Sequence, residues 1–366
     1  MARIGIVIYS LAGGGAERVS MNLAQEWVAD GHSVDFVLAS GEGELMDEIP
    51  AAAGTHIAQT VGFRGWKAAI RDYVKVEAPD VLLAMMEGAG VLSIQAAKGR
   101  VPVYVVSHNH FSRHCHGAAR WKERRLMPLA ARWYLKKAAG VIGVSEGVSE
   151  DIRKTAGLEP EKVHTLYNPI LTDAFYRLAE EPVNHPWFAH DRDWLTVVTV
   201  GRLTEQKDYG TLLRAIARMN AQRHVRLLLL GQGEQLSELQ ALADTLDIAS
   251  VLDFSGYDPN PYRYMAKADV FALSSKWEGL PTVLIEALAC GTAVVSTDCP
   301  SGPSEILDRG LYGELVPVGD SEALASAIMH APKRETNLDG LDGHLGQFEV
   351  TRVAKRYLDV MNLKVN

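Results

Sequence analysis

Cysteine is scarce in this sequence. Only three cysteines occur among 366 residues, at Cys115, Cys290 and Cys299, and their spacing matches no common metal-ligand pattern. Their odd number also excludes a closed set of disulfides, which many secreted proteins depend on. We therefore expect a protein of a reducing compartment and predict a cytoplasmic location.

Long hydrophobic runs are absent as well. The longest, such as 225–230 and 196–200, have the length of strands and fall far short of the roughly 18 residues needed to cross a bilayer. The apolar stretch 4–12 could imitate a signal peptide, but only Arg3 precedes it and a glycine-rich turn follows. We expect a buried first strand here and no transmembrane helix.

The sequence instead alternates strand-like apolar runs with helical patterns. Such alternation is typical of parallel sheets covered by helices, and this length suits about two domains. Prolines and charges interrupt both patterns between 167 and 186, which predicts a hinge between domains 1–170 and 187–349. The segment 350–363 again has helical spacing. The strand-like runs are 3–9, 33–38, 81–85, 101–107, 141–144, 195–200, 225–230, 270–273 and 293–296.

Two glutamates, Glu278 and Glu286, flank a glycine-proline turn that follows one of these strands. The pattern predicts a helix from about 282 to 289. Free amides at a helix start favour a phosphate, and the carboxylate of Glu286, one turn in, can accept hydrogen bonds from a diol. Phosphate beside a diol indicates a nucleotide. Taken alone, the glutamate pair has a solvated helix face as its alternative interpretation.

Glycines also follow strands. Gly13, Gly14 and Gly15 precede a helical pattern, and Gly231 and Gly233 follow the strand 225–230. The first group lacks the lysine and hydroxyl of a P-loop, and both miss the third glycine of the dinucleotide fingerprint. Each loop, by itself, fits a tight strand-to-helix turn as well as a ligand site.

Arg202 and Lys207 lie just beyond the strand 195–200. An arginine can bind phosphate oxygens as a fork and a lysine adds a mobile charge, so together they suit a diphosphate. The alternative is a pair of solvated loop cations. Asp191-Arg-Asp193 resembles a metal-binding triplet, but it precedes a strand in a polar connection, and we interpret it as a solvated turn.

Taken in order, these motifs resemble those of the retaining glycosyltransferases of the GT-B fold, specifically glycosyltransferase family four (group 1). The resemblance implies an α/β protein of two Rossmann-like domains whose parallel sheets face each other across a cleft. Domain 1–170 would bind the acceptor, domain 187–349 the donor, and the helix 350–366 would pack back onto the first domain. The matching motifs are Gly13-Gly-Gly15-Ala-Glu17-Arg18, Gly201-Arg202-Leu-Thr-Glu-Gln206-Lys207, Gly231-Gln-Gly233, Glu278 with Glu286, and Ser301-Gly-Pro303-Ser-Glu305.

The resemblance also implies roles for individual residues. Glu278 would orient hydroxyls of the donor sugar, Glu286 would hold the ribose, and Arg202 and Lys207 would stabilise the diphosphate without a metal or other cofactor. His108 would face the donor sugar or the acceptor. The remaining donor-binding positions would be Gly13, Gly14, Gly15, Gly201, Gly231, Gly233, Gly279, Leu280, Pro281 and Thr282.

Histidines cluster after the strand 101–107. His108, His110, His114 and His116 could supply nitrogen ligands for zinc, but their spacing matches no common structural zinc site. The alternative is loop histidines hydrogen-bonded to backbone and water, which fits His114 and His116 best. We predict no metal site.

A basic stretch follows the histidines. Residues 111–140 contain eight Lys or Arg residues and one acidic residue, Glu123, although the chain as a whole carries a formal net charge of -8. The pattern predicts a surface attracted to anionic lipid, unless the aromatic residues enter the core of an ordinary helix. Pro128 is expected to kink or divide the helix. The candidate membrane or acceptor residues are Arg120, Trp121, Lys122, Arg124, Arg125, Arg132 and Trp133.

The sequence thus predicts a retaining hexosyltransferase. It would move a hexose or N-acetylhexosamine from a UDP-sugar to a glycan or polyprenyl-diphosphate-linked saccharide, in cell-surface polysaccharide or glycoconjugate synthesis. The partners would be that donor, that acceptor and an anionic membrane surface, with a peripheral place on the cytoplasmic face of the inner membrane and no nucleic acid. The alternatives are a nucleotide-sugar hydrolase or epimerase, or a non-catalytic partner in glycan assembly; incomplete glycine fingerprints disfavour a dehydrogenase.

Overall fold

The computed structural model describes residues 1–117, 121–188, 193–331 and 340–363, without the side chains of residues 114, 116–117 and 121–125. The chain forms two compact units. The first comprises Met1–Ile170 and Gln347–Asn366, and the second comprises Leu171–Gly346. Among the described residues, no helix is both long and apolar enough to cross a membrane.

The first unit is built on a seven-stranded parallel sheet with the strand order β3-β2-β1-β4-β5-β6-β7. Its strands are β1 Arg3–Ile8, β2 Ser33–Leu38, β3 Gly54–Ile57, β4 Val81–Ala84, β5 Val103–Ser107, β6 Gly140–Gly143 and β7 Val163–Thr165. Its helices are α1 Gly15–Ala29, α2 Phe63–Val76, α3 Glu87–Ala97, α4 Phe111–Gly117, α5 Trp121–Tyr134, α6 Glu146–Ala156 and α15 Val350–Val360.

The second unit repeats the plan with a six-stranded parallel sheet in the order β10-β9-β8-β11-β12-β13. Its strands are β8 Leu195–Val200, β9 Val225–Leu230, β10 Leu252–Gly256, β11 Val270–Leu273, β12 Ala293–Thr297 and β13 Glu314–Val316. Its helices are α7 Asp173–Ala179, α8 Tyr209–Asn220, α9 Leu236–Thr245, α10 Tyr262–Met265, α11 Thr282–Ala289, α12 Pro303–Ile306, α13 Ser321–His330 and α14 Leu341–Leu345.

The inner strands are continuous apolar runs because helices cover both faces of each sheet. Strand β4 is buried throughout and β8 almost throughout, so they have no alternating polar face. Parallel strands joined through helices on both faces form the Rossmann-like arrangement predicted from the sequence, and that prediction is confirmed for both units.

The last helix, α15, belongs to the first unit. Val353, Tyr357 and Leu358 face its core, and the indole nitrogen of Trp27 in α1 donates to the carbonyl of Ala354 at 3.1 Å. The amphipathic spacing seen in the sequence therefore corresponds to one buried face.

The direction of strand order reverses between β1 and β4 in the first sheet, and between β8 and β11 in the second. At such a switch point the loops leaving the two strands diverge, and their separation leaves a crevice at the carboxyl ends. The predicted site residues after β1, β8 and β11 therefore lie where each sheet can receive a ligand.

Candidate functional site

Two loops of the second unit meet at its switch point. One leaves β8 and carries Arg202 and Lys207, and the other leaves β11 and carries Glu278. Val270 of β11 pairs with Val197 of β8, so the loops leave neighbouring strands at the same edge of the sheet. The sequence separates these residues by more than 70 positions, and the fold brings them into contact.

The carboxylate of Glu278 is the centre of this contact. Its Oε1 accepts from the ammonium of Lys207 at 2.7 Å and from the hydroxyl of Ser275 at 2.6 Å, and its Oε2 accepts from the amide of Gln206 at 3.2 Å. Glu278 is only 6% exposed, and a carboxylate buried to this degree needs such partners. The three donors hold it in one orientation while leaving room for a further hydrogen bond at Oε2.

Backbone groups join the same two loops. The amide of Lys276 donates to the carbonyl of Gln206 at 2.8 Å, and the side chain of Gln206 donates to the carbonyl of Trp277 at 2.9 Å. The hydroxyl of Ser274 donates to the carbonyl of Lys207 at 2.8 Å. Because these bonds fix both loops to each other, the Lys207–Glu278 pair is held in place before any ligand arrives.

Arg202 has a different environment. It is exposed, and although its carbonyl accepts from the amide of Thr204 at 2.9 Å, its guanidinium makes no hydrogen bond or ion pair with the residues that the structure describes. Its guanidinium is therefore free to bind an anion, whereas Lys207 already uses one of its three N–H donors on Glu278.

Glu286 lies in α11, within the first one and a half turns. Burial raises the pKa of its carboxyl group to about 7, and the nearby charge of Lys207 acts in the opposite direction. The carboxyl group is thus half ionised near neutral pH. The start of α11 has no side-chain cap; the amide of Leu284 donates to the carbonyl of Pro281 at 3.0 Å, which leaves the amides of Thr282 and Val283 open to a ligand. Gly279, Leu280 and Pro281 form the turn that leads into it.

Packing explains the glycines of the second unit. A Cβ on Gly231 would lie 1.9 Å from the carbonyl oxygen of Gly201, and a Cβ on Gly233 would lie 2.4 Å from that of Leu203. The loop after β9 therefore passes directly over the loop after β8. These glycines were predicted to bind the donor, and the structure gives them a packing role that needs no ligand.

Gly13, Gly14 and Gly15 lie between β1 and α1 in the first unit. Gly13 has φ +89, a conformation that side chains disfavour, and a Cβ on Gly15 would meet nothing within 4 Å. The helix begins without a side-chain cap at Gly14. A Cβ on Gly14, in contrast, would lie 2.5 Å from a carboxylate oxygen of Glu17, and the binding of the donor by these glycines stays a prediction.

His108 follows β5 in the first unit. Its Nε2 is buried and has no hydrogen-bond partner among the described residues, and burial lowers the pKa of the imidazole to about 4. The ring is therefore neutral at physiological pH. Nearby, Nδ1 of His110 lies 3.6 Å from a carboxylate oxygen of Asp151.

No group of three or more metal-ligating side chains occurs in the part of the chain that the structure describes. The side chains of His114 and His116 lie outside that part, and so do Asp191 and Arg192 of the Asp-Arg-Asp triplet.

The described part of the basic stretch lies on α4, on α5 and on the turn Leu135–Lys137 that follows α5. Trp133 is 67% exposed and Arg132 is exposed beside it, so this tryptophan does not enter the core. Pro128 lies inside α5 and does not divide it. Residue Arg120 and the side chains of Trp121, Lys122, Arg124 and Arg125 lie outside the described residues.

Two family models match successive parts of the chain. The model for Glycosyltransferase Family 4 matches residues 13–174, and the model for Glycosyl transferases group 1 matches residues 184–339. The chain belongs to this glycosyltransferase family. The motifs that carried the resemblance lie inside these two segments, and the family predicted from them is confirmed.

Curated relatives of this family carry glycosyltransferase names. N-acetylgalactosamine-N,N'-diacetylbacillosaminyl-diphospho-undecaprenol 4-alpha-N-acetylgalactosaminyltransferase of Campylobacter jejuni is 36% identical over 192 residues, 52% of this chain and 50% of that protein. The putative glycosyltransferase EpsF of Bacillus subtilis is 27% identical over 351 residues, 90% of this chain and 89% of that protein. The chain spans about half the length of the Campylobacter relative and of two further curated relatives that it matches.

Solved structures share the fold. Anabaena HepE in complex with UDP and glucose has a TM-score of 0.77 at 20% identity, covering 99% of this chain and 100% of that one. The lipopolysaccharide outer core galactosyltransferase WaaB in its apo form has a TM-score of 0.73 at 20% identity, with coverage of 98% and 99%. Structural similarity at sequence identities this low establishes the fold alone. The shared fold confirms the predicted GT-B class.

Sequence reasoning missed some residues of the site. Gln206 and Ser275 both bond to Glu278, yet neither was assigned a role. Gln206 lies within the motif 201–207. Ser275 stands three residues before Glu278, and this short spacing is a signal by which the serine could have been predicted to bond to the carboxylate.

Proposed function

We propose that this protein is a retaining glycosyltransferase. It moves a hexose or N-acetylhexosamine from a UDP-sugar to a hydroxyl of a glycan or polyprenyl-diphosphate-linked saccharide, in cell-surface polysaccharide or glycoconjugate synthesis. The observation that carries the proposal is the buried Lys207–Glu278 pair, at 2.7 Å, near Glu286 and on the loop that also carries the exposed Arg202. That arrangement offers two cations for a diphosphate and two carboxylates for hydroxyl groups.

The chemistry requires the bond between the anomeric carbon and the diphosphate oxygen to break. Negative charge then grows on the departing UDP, where Arg202 and Lys207 stabilise it, so no metal is required. The acceptor oxygen bonds to the anomeric carbon on the face that the phosphate leaves. The proton of the acceptor hydroxyl passes to the departing phosphate, which balances the reaction without an enzyme nucleophile.

The carboxylates position the donor. Glu278 accepts from sugar hydroxyls through the free capacity of Oε2, while its three donors prevent it from turning away. Glu286 accepts from the ribose hydroxyls. Gly13 to Gly15 leave room for the diphosphate, and the neutral imidazole of His108 hydrogen-bonds to the sugar or the acceptor.

Tyr257 is suited to the nucleobase. The amide of Gly231 donates to the carbonyl of Gly256 at 2.7 Å, which brings the end of β10 beside the loop after β9. The exposed ring that follows offers a stacking surface at this edge. Because an aromatic ring can stack on any nucleobase, the proposed preference of the protein for uracil depends on other contacts.

Calorimetry in the presence of EDTA tests the donor site. We expect UDP to bind more tightly than GDP or ADP, and Glu286→Ala to weaken UDP binding at least tenfold. Glu238→Ala, which removes an exposed carboxylate from α9 of the same unit, is the control and should change nothing. A GDP preference would revise the donor, NAD binding or no nucleotide binding would contradict the proposal, and sugar released to water in place of an added glycan would indicate a hydrolase.

We also propose a peripheral position on the cytoplasmic face of the inner membrane. Leu126, Leu129 and Trp133 are exposed on α5 beside Arg132, which is the composition of a surface that binds anionic lipid. Flotation with liposomes tests this position: we expect binding to anionic vesicles, and equal behaviour with neutral vesicles would contradict it.

A further inference from the structure

The first unit contains a large apolar cavity at the carboxyl ends of β1 and β4. Its volume is about 760 Å³, within the range typical of small-molecule sites. Helices α2, α3 and α5 supply most of its wall. The lining includes Tyr9, Trp66, Met85, Met86, Phe111 and Met127.

The polar groups of this cavity have one sign of charge. Its lining includes the carboxylates of Glu17 and Glu87 but no Lys, Arg or His among the described residues. The hydroxyl of Ser107 donates to Glu87. The described interior therefore offers a phosphate no cation, and a neutral apolar chain would be favoured. Methionine side chains adapt readily to the shape of such a chain.

Apolar side chains are exposed at the margin of the cavity. Phe63, which itself lines the cavity at the start of α2, is 71% exposed, and Val61 just before it is fully exposed. Leu126 is exposed on α5, next to Met127 of the lining. Exposed apolar residues on two elements around one opening mark a surface that meets lipid or another apolar partner.

We propose that this cavity receives the isoprenoid chain of a lipid-linked acceptor. The phosphate groups stay outside, because no cation among the described lining residues would bind them inside. Identification of the chain as part of an acceptor rests on the proposed function. The volume suits a drug-sized segment, about fifteen carbons of the chain.

Prenyl phosphates of increasing length test the proposal. Dimethylallyl, geranyl and farnesyl phosphate are titrated by calorimetry below their micelle concentrations. We expect at least a tenfold gain in affinity at each step, because each adds five carbons to the buried surface. Affinity independent of chain length would overturn the proposal. Palmitate bound as tightly as farnesyl phosphate would assign the cavity to acyl chains of the bilayer and overturn it too.

Two alanine-to-phenylalanine variants locate the site. Ala130 lines the cavity from α5, and Ala130→Phe should weaken farnesyl phosphate binding at least tenfold. Ala68 is also half-buried, but it lines a different depression on α2, so Ala68→Phe is the matched control. Equal losses in both variants would refute the assignment.

The variant Gly88→Leu keeps the cavity testable if Ala130→Phe does not fold. Gly88 lines the cavity and a Cβ there meets no atom within 4 Å, so a side chain can start at this position, and Gly88→Leu should also weaken farnesyl phosphate binding. UDP binding is measured in every variant and should be unchanged. A wild-type protein that binds farnesyl phosphate but not UDP would contradict the proposed function and leave the cavity assignment standing.

Discussion

The two units share a topology but differ in the loops that leave their central strands. In the second unit, the loops after β8 and β11 are tied by side-chain and backbone hydrogen bonds around the buried carboxylate of Glu278. In the first unit, the ends of β1 and β4 open onto an apolar cavity rich in methionine and aromatic side chains. The same switch point therefore carries a preorganised polar site in one unit and an adaptable apolar one in the other.

This difference shows what topology does and does not determine. The reversal of strand order creates the crevice in both sheets, since it depends only on the connections. Whether the crevice suits a charged or an apolar ligand depends on the few residues after each strand. Substitutions at those residues should therefore affect the two units in different ways.

Lys207→Met should have the largest effect. It leaves the carboxylate of Glu278 buried without its counter-ion, which costs about 3–5 kcal/mol of stability, and it removes a cation worth roughly a thousandfold in rate. Chemical denaturation and sugar-transfer assays measure the two losses.

Arg202→Met is the matched comparison for that variant. Since Arg202 is exposed and its guanidinium has no partner among the described residues, its loss should change stability by less than about 0.5 kcal/mol while still lowering the transfer rate. The double variant Lys207→Met/Glu278→Gln should recover part of the stability. If Lys207→Met and Arg202→Met were equally stable, the ion pair would not hold the loops together.

Gly231→Ala should have the next largest effect. The added Cβ would lie 1.9 Å from the carbonyl oxygen of Gly201, in a backbone conformation with φ +151, so we expect a loss of about 3 kcal/mol of stability. Gly15→Ala in the first unit meets no atom within 4 Å, and alanine favours the helix by about 0.5–1 kcal/mol. Thermal unfolding of both variants compares the two glycine loops. If Gly231→Ala were as stable as the wild-type protein, the loops after β8 and β9 would be able to move apart.

Glu286 makes stability depend on pH. Its folded pKa, about 7, lies above the ordinary value of 4.5, so the folded state holds more protons between these pH values. The contribution of Glu286 is therefore fully present below about pH 4.5 and is lost as pH rises through 7, by roughly 3 kcal/mol at most, whereas His108, with its pKa lowered to about 4, contributes in the opposite sense below about pH 6.5.

Glu286→Gln should remove this fall, because glutamine does not titrate. Glu238→Gln in α9 should retain it. Urea denaturation of the three proteins between pH 5 and 8 measures the slope. A slope that persisted in Glu286→Gln would show that another group causes it.

The sequence predicted the inner strands of both sheets and missed the outer ones. Strands β3, β7, β10 and β13 are the four sheet edges, and none contains a long apolar run. The reason is physical: an edge strand is partly exposed, so its side chains need not be apolar. Helix α11, in contrast, begins and ends where the glycine-proline turn and the apolar spacing predict.

The sequence predicted which residues form the candidate site, but not which of them contact each other. The sequence indicated Arg202, Lys207 and Glu278 as one site, since all follow strands. It could not show that Lys207 pairs with Glu278 while Arg202 stays free, because this depends on which loops are neighbours in space. The cavity of the first unit was not foreseen, since its lining is spread over five elements with no common motif.

The smallest predicted effect concerns the surface of α5. Arg132 and Trp133 are exposed, so Arg132→Gln and Trp133→Ala should leave stability within about 0.5 kcal/mol of wild type. Each basic residue near an anionic membrane contributes about 1 kcal/mol, so Arg132→Gln should weaken binding to anionic vesicles about fivefold at low salt. Arg218→Gln, on α8 of the second unit, is the control. Equal losses from both arginine variants would mean that vesicles sense net charge alone, whereas a loss confined to Arg132 would place the membrane contact on the unit that holds the apolar cavity.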